Sequence, residues 1–283
     1  MEPPTQSLHV DGHRLAYDVR GTGDRTVVLV PGLLMPRRMH LRLAERLADS
    51  GFRVICMEPL GFGESDKPAG YWHYSMPKFA RQVIALLDEL GLERTVLLGT
   101  SAGANITLAT AFEAPERLCG MVVESPVLER AFPFCAAVGA PALMIGRYGA
   151  PLVDLVGRVA DRIPRDRSSL ADLVLSWIAQ DSRRSADVAQ GIVYGGVMVP
   201  RADRSTIRTK ALVIGHRFDP VHPIADDRAL ASELFDARFL RSRSIVELRR
   251  DPNRLLESLT EFITECWDSA IANPPARQPV SIL

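Results

Sequence analysis

The 283-residue chain has no excess of charge of either sign, 34 Lys and Arg standing against 34 Asp and Glu. Without a basic footprint, nothing in it is suited to nucleic acid or to an anionic membrane surface, and neither is expected as a partner. Cysteine is also scarce. The four residues Cys56, Cys119, Cys135 and Cys266 lie far apart with no CxxC and no Cys/His spacing, so neither a disulfide framework nor a metal site is indicated, and buried free thiols are expected. No cofactor is called for. Long apolar runs are missing as well: the nearest, "CAAVGAPALMIGRYGAPLV", is cut by Gly, Pro and Arg147, so no membrane span is expected. The opening "MEPPTQSLHV" has no basic segment leading into an apolar one, and a cytoplasmic location is the expectation.

What is present reads as one large α/β domain. Hydrophobic residues make up 47% of the chain and charged residues 24%, and the length is enough to bury a sizeable core. Two alternating runs, "SLHV" and "RLAYDVRG", flank "DGH" and predict a hairpin. Then come short continuous apolar runs, "TVVLVPG", "FRVICMEP", "TVLLGTS", "CGMVVESP" and "KALVIGH", of the kind buried on both faces of a parallel sheet. Segments with helical spacing alternate with them, and several end in Gly. A weaker strand at "ARFLRS" and a helix at "DPNRLLESLTEFITECW" complete a mostly parallel, doubly wound, eight-stranded sheet. About eighty residues between "MVVESP" and "KALVIG" have helical patterns and no clear strand, too long for an ordinary connection. The organisation expected is therefore a discontinuous core, 1–126 and 210–283, carrying a helical cap at 127–209 whose apolar residues roof a pocket, with a disordered tail over 270–283.

The stretch "LLGTSAGAN" places Ser101 between Gly99 and Gly103. It follows a buried strand and opens a helix. That is the setting of a nucleophile elbow, in which the serine takes a strained backbone conformation and side chains two residues away would collide with neighbouring chain.

With that stretch the chain resembles the α/β-hydrolase superfamily, over roughly residues 7 to 268. "LVPGLL" is similar to the oxyanion loop, "EPLGFGESDKP" to the Gly-x-Gly-x-Ser-Asp-x-Pro stretch, and "LVIGHRFDPVHP" to the strand and loop bearing the acid. The resemblance implies Ser101 as nucleophile, the backbone N–H groups of Leu33 and Ala102 as oxyanion hole, and Asp219 as the acid that orients a histidine.

The resemblance fails at the base. The histidine belongs after the last strand, yet "FLRSRSIVELRRDPNRLL" has none, and no histidine follows His222. Arg243, Ser242 and Ser244 stand in that neighbourhood, and none can take a proton from serine near neutral pH. His222, three residues after Asp219, is the candidate for a relocated base, or else packs beside the pocket. His40 is a weaker candidate, and His9, His13, His73 and His216 are expected to lie away from the chemistry. Glu124 and Glu58 are further strand-end carboxylates, more simply read as making local hydrogen bonds. Pro31 and Thr100 replace histidines common in relatives, and Ser101 replaces the aspartate nucleophile of haloalkane dehalogenases.

Three functions remain open on the sequence. One is a serine-nucleophile hydrolase or acyl-transferring enzyme acting on an ester, thioester or lactone with an apolar acyl part. The second is a cofactor-free lyase or cyclase that keeps the pocket without the triad. The third is a ligand-binding protein that has lost catalysis. The partner expected is a small apolar substrate, and oligomeric state is unspecified.

Overall fold

A computed structural model describes residues 3–148 and 179–273 throughout, together with 155, 157, 158, 171, 172, 175 and 176. The predicted hairpin forms from β1 (Gln6–Val10) and β2 (His13–Arg20). Its turn places Asp11 at φ 51° and Gly12 at φ 78°, the left-handed pair that matches the twist of a two-residue hairpin. The apolar runs become β3 (Thr26–Val30), β4 (Arg53–Met57), β5 (Thr95–Thr100), β6 (Leu118–Glu124) and β7 (Ala211–His216), and the weak one becomes β8 (Ala237–Ser242). The sheet order is β1-β2-β4-β3-β5-β6-β7-β8. Only the β1/β2 and β2/β4 pairs are antiparallel.

Burial on both faces explains why the central strands read as unbroken apolar runs. In β3, Val28 and Val30 join the cluster shared with α2 (Met76–Glu89) and α3 (Ala102–Glu113), while Val27 and Leu29 pack against α1 (Leu41–Asp49). β8 closes one edge, and four of its six residues are half-buried or better, which accounts for its mixed sequence.

Between β6 and β7 the described residues are helical: α4 (Ala131–Tyr148) packs against α5 (Ser182–Tyr194), followed by the single turn α6 (Arg201–Arg204). Of the cap expected at 127–209, most of residues 149–178 lie outside the described residues. Among the side chains that tie this insertion to the core are Asn105 and Asp226. Asn105 on α3 donates through Nδ2 to the carbonyls of Val127 and Val197, both at 2.9 Å. Asp226, in the first turn of α7 (Ile224–Glu233), accepts from the N–H groups of Arg130 and Ala131 at 3.0 Å, satisfying donors that the start of α4 leaves open.

After β8 come the short α8 (Glu247–Arg250) and the long α9 (Asn253–Ala272). The disordered tail expected over 270–283 is corrected at its start, and the rest of that expectation lies outside the described residues. Residues 270–272 finish α9, the sequence "DSAIA" containing nothing to break a helix, and 274–283 lie outside the described residues. The four cysteines are free, Cys56 and Cys266 buried but Cys119 and Cys135 only half-buried. Burial pushes the Cys119 and Cys266 thiols up to about 12. No described helix is long and apolar enough to cross a membrane.

Candidate active site

Ser101 sits at the junction of β5 and α3 with φ 53° and ψ −116°, a conformation costly for any residue with a side chain. The glycines around it are sterically required. A Cβ on Gly99 would stand 2.0 Å from the Gly103 carbonyl oxygen, and one on Gly103 would stand 2.3 Å from the Val30 carbonyl oxygen. The elbow is held from below by the Ser101 N–H, which donates to the Glu124 carbonyl at 2.9 Å.

The loop after β7 carries the other two groups. Asp219 Oδ1 accepts from the backbone N–H of Val221 at 2.8 Å and of His222 at 2.9 Å. This turn folds the chain back on itself, so that a histidine only three residues on brings its ring to the same carboxylate: Nδ1 lies 2.9 Å from Asp219 Oδ2. The ring's other nitrogen, Nε2, lies 2.9 Å from Ser101 Oγ. With the carboxylate on one side, Nδ1 carries the proton and Nε2 is left as an acceptor. Burial alone would raise the Asp219 carboxyl, but the hydrogen bonds from His222 and Val221 hold it below its ordinary value. It is therefore ionised near neutral pH.

Opposite this chain lies the loop after β3. A Cβ on Gly32 would be in ordinary contact, 3.8 Å, with Ser101 Cβ, so the loop that bears Leu33 passes beside the serine at Gly32. Ala102 opens α3, where an N–H has no partner within the helix. Neither the Leu33 nor the Ala102 N–H donates to another described group.

Residues 25–142 match the family defined as alpha/beta hydrolase fold. The enol-lactonase from Burkholderia xenovorans superposes with a TM-score of 0.74, covering 92% of this chain and 100% of its own, at 21% identity. The fold is that of the α/β hydrolases. A putative non-heme bromoperoxidase of Mycobacterium tuberculosis is 26% identical over 233 residues, 80% of this chain and 88% of that protein. An uncharacterised protein of the same organism is 31% identical over 128 residues, 44% of this chain. That match spans only 35% of the relative's length.

His40 is fully buried, with Nε2 3.3 Å from the Val30 carbonyl, and burial drives its imidazole down to about 3. His73 stacks edge-on against His13, 5.2 Å between centroids, far along the hairpin side. Glu58 is a local anchor: it accepts from Arg37 N and Nη1 at 2.8 Å each and from Glu64 N at 2.6 Å. Gly63, at φ 43°, passes so close that a Cβ would overlap the Glu58 carboxylate, which gives "GFGES" its physical meaning.

Glu124 proves more than a local strand-end carboxylate. It is fully buried beneath the elbow, accepting from Thr100 Oγ1 at 2.6 Å and Arg249 Nη2 at 2.6 Å, with His216 Nε2 3.0 Å from its other oxygen. Burial would raise its carboxyl, but Arg249 and His216 hold it well below the carboxylate range. Arg249 also donates to Thr100 Oγ1 at 2.7 Å. Sequence reasoning missed Arg249. It lies on α8, after the last strand, where the histidine was expected, and the one signal was a second arginine-rich run, "LRRDP", in that histidine-free loop.

Proposed function

We propose that the protein is a serine hydrolase or acyl-transferring enzyme, acting on an ester, thioester or lactone with an apolar acyl part. The observation that carries this reading is the continuous chain Ser101 Oγ, His222, Asp219, with both links at 2.9 Å. Ser101 Oγ attacks the acyl carbonyl carbon while its proton passes to His222 Nε2. Asp219, ionised and fixed by two backbone donors, stabilises the imidazolium without taking the proton. The carbonyl oxygen, now negative, lies between the Leu33 and Ala102 N–H groups, each such donor contributing on the order of 3 kcal/mol. Collapse of the tetrahedral species breaks the bond to the leaving group, which receives the proton from His222. Water, activated by the same imidazole, then releases the acid and restores Ser101; a second alcohol or thiol in place of water gives transfer.

The argument for a lyase, a cyclase or a lapsed catalyst was the missing base. A histidine within hydrogen-bond reach of both partners supports the serine reading over these. The insertion at 127–209 serves as the roof of the acyl pocket in this reading.

The test is covalent labelling by a fluorophosphonate, read as intact mass. The parent gains one phosphonyl adduct, while Ser101→Ala and His222→Ala gain none. A folded parent that stays unlabelled, or a His222→Ala variant labelled at the parent rate, rejects the mechanism.

A further inference from the structure

A cavity lies on the same end of the sheet as the Ser101 elbow, beside the His222 loop. Parallel pairing sets His216 of β7 against Ser242 of β8, so the next residues, Arg217 and Arg243, emerge from adjacent strand ends, about 4.8 Å apart in the pairing direction. With Phe218, Arg241, Ser242 and Arg254 they line a cavity of about 400 Å³. Four guanidiniums and no carboxylate line this space, and the carboxylate bonded to its lining residues, Glu247, is already committed. Glu247 takes Arg254 through both its oxygens, accepts from Ser242 Oγ at 2.7 Å and from Arg243 N at 2.6 Å, and is drawn down to about 2, chiefly by Arg254. Its work is to fold the loop that presents Arg243. Arg217, Arg241 and Arg243 have no carboxylate within ion-pair distance among the described residues, and Arg217 is steadied instead over the Phe218 ring, 4.9 Å from its centroid.

Three uncompensated guanidiniums in one concavity repel one another, and a carboxylate would neutralise only one of them. A phosphate monoester brings close to two negative charges at neutral pH and three acceptor oxygens suited to planar Arg forks. We propose that this cavity binds a phosphate group carried on the leaving group of the acyl substrate.

The assignment to the leaving group rests on the proposed serine mechanism and on sheet order. The oxyanion donors belong to the loop after β3 and to the residue after β5, so the carbonyl oxygen faces the β3 side. The imidazole that protonates the departing atom comes from the loop after β7, so the leaving group faces β7 and β8. From β5 to β8 the sheet takes three strand spacings, about 14 Å. The phosphate therefore sits at the far end of an extended leaving group.

The experiment uses two thioesters with the same octanoyl chain, one on pantetheine and one on 4′-phosphopantetheine, which differ by one phosphate. The expected kcat/KM ratio favours the phosphorylated thioester by roughly tenfold or more, the scale of a charge-assisted contact. In Arg217→Glu/Arg243→Glu the ratio falls to about one, whereas Arg46→Glu, on the exposed side of α1, leaves it at the parental value. A parental ratio near one, or one that survives the double substitution, overturns the proposal. Pyrophosphate binding, followed by calorimetry, separates the two readings. If neither thioester turns over and Ser101 resists the fluorophosphonate, the serine mechanism fails. Pyrophosphate binding that the double variant abolishes then supports the anion cavity alone and removes its assignment to a leaving group, and absence of binding rejects the cavity too.

Discussion

Ser101, the nucleophile of the proposed mechanism, stands in a costly backbone conformation. Its φ of 53° and ψ of −116° lie where only glycine is at ease, and strain of this kind is worth about 1–3 kcal/mol. Glycine loses more chain entropy on folding, which offsets part of that gain. Ser101→Gly is thus expected to stabilise the protein by about 1 kcal/mol in urea titration while abolishing fluorophosphonate labelling. A variant less stable than the parent would show that the conformation is not strained here, whatever its activity. Side-chain identity at this residue was readable from "GTSAG", because steric exclusion around an elbow is a local property and glycine spacing records it. The partner was readable only as a candidate: "DPVHP" puts an acid and an imidazole three residues apart, but only the turn on Asp219 Oδ1 decides that the ring reaches both Asp219 and Ser101.

At the level of elements, the junction of β5, β6, β7 and α8 is fastened by charge. Arg249 on α8 reaches Glu124 at the end of β6 and Thr100 at the end of β5, and His216 at the end of β7 meets the same carboxylate. Removing one member of a buried pair strands the other without a partner, at a cost of about 3–5 kcal/mol, while removing both charges costs far less. Arg249→Met should therefore destabilise by about that amount, and Glu124→Gln/Arg249→Met should recover most of the loss. Additive effects in the denaturant cycle would mean that the two charges do not depend on each other. This fastening left little trace in the sequence. The strands were legible because burial on both faces writes itself into consecutive residues, whereas Glu124 and Arg249 are separated by 125 positions, and only the folded sheet edge brings them into one place. The helical character of the insertion was legible, but which of its side chains face the core was not, because apolar periodicity does not say which side chains point down.

On the scale of the whole molecule, a net charge of zero conceals segregation: acids gather beneath the end of β7, and arginines stand in the cavity beside it. Asp227 in α7 pays most for this. It is fully buried, neither oxygen has a hydrogen-bond partner among the described residues, and Oδ2 lies so near Gly215 that a Cβ there would be 2.6 Å away. Burial first, then the negative charges of Asp219, Asp226 and Glu124, push its carboxyl up to about 8. The folded protein thus keeps a proton that the unfolded chain releases near pH 4. Where the native state binds more protons than the unfolded state, stability falls as pH rises. The loss should run at about 1.4 kcal/mol per pH unit through the window between those two values, and level off above about 8, where both states are ionised. Asp227→Asn removes this term, so its stability relative to the parent should be similar near about pH 4 and greater by several kcal/mol near about pH 8. Unfolding curves in urea from acid to mildly alkaline pH read the difference directly. Parent and variant curves that run parallel would mean that Asp227 ionises at its ordinary pH, and that water or a shift of α7 reaches the carboxylate in the folded protein.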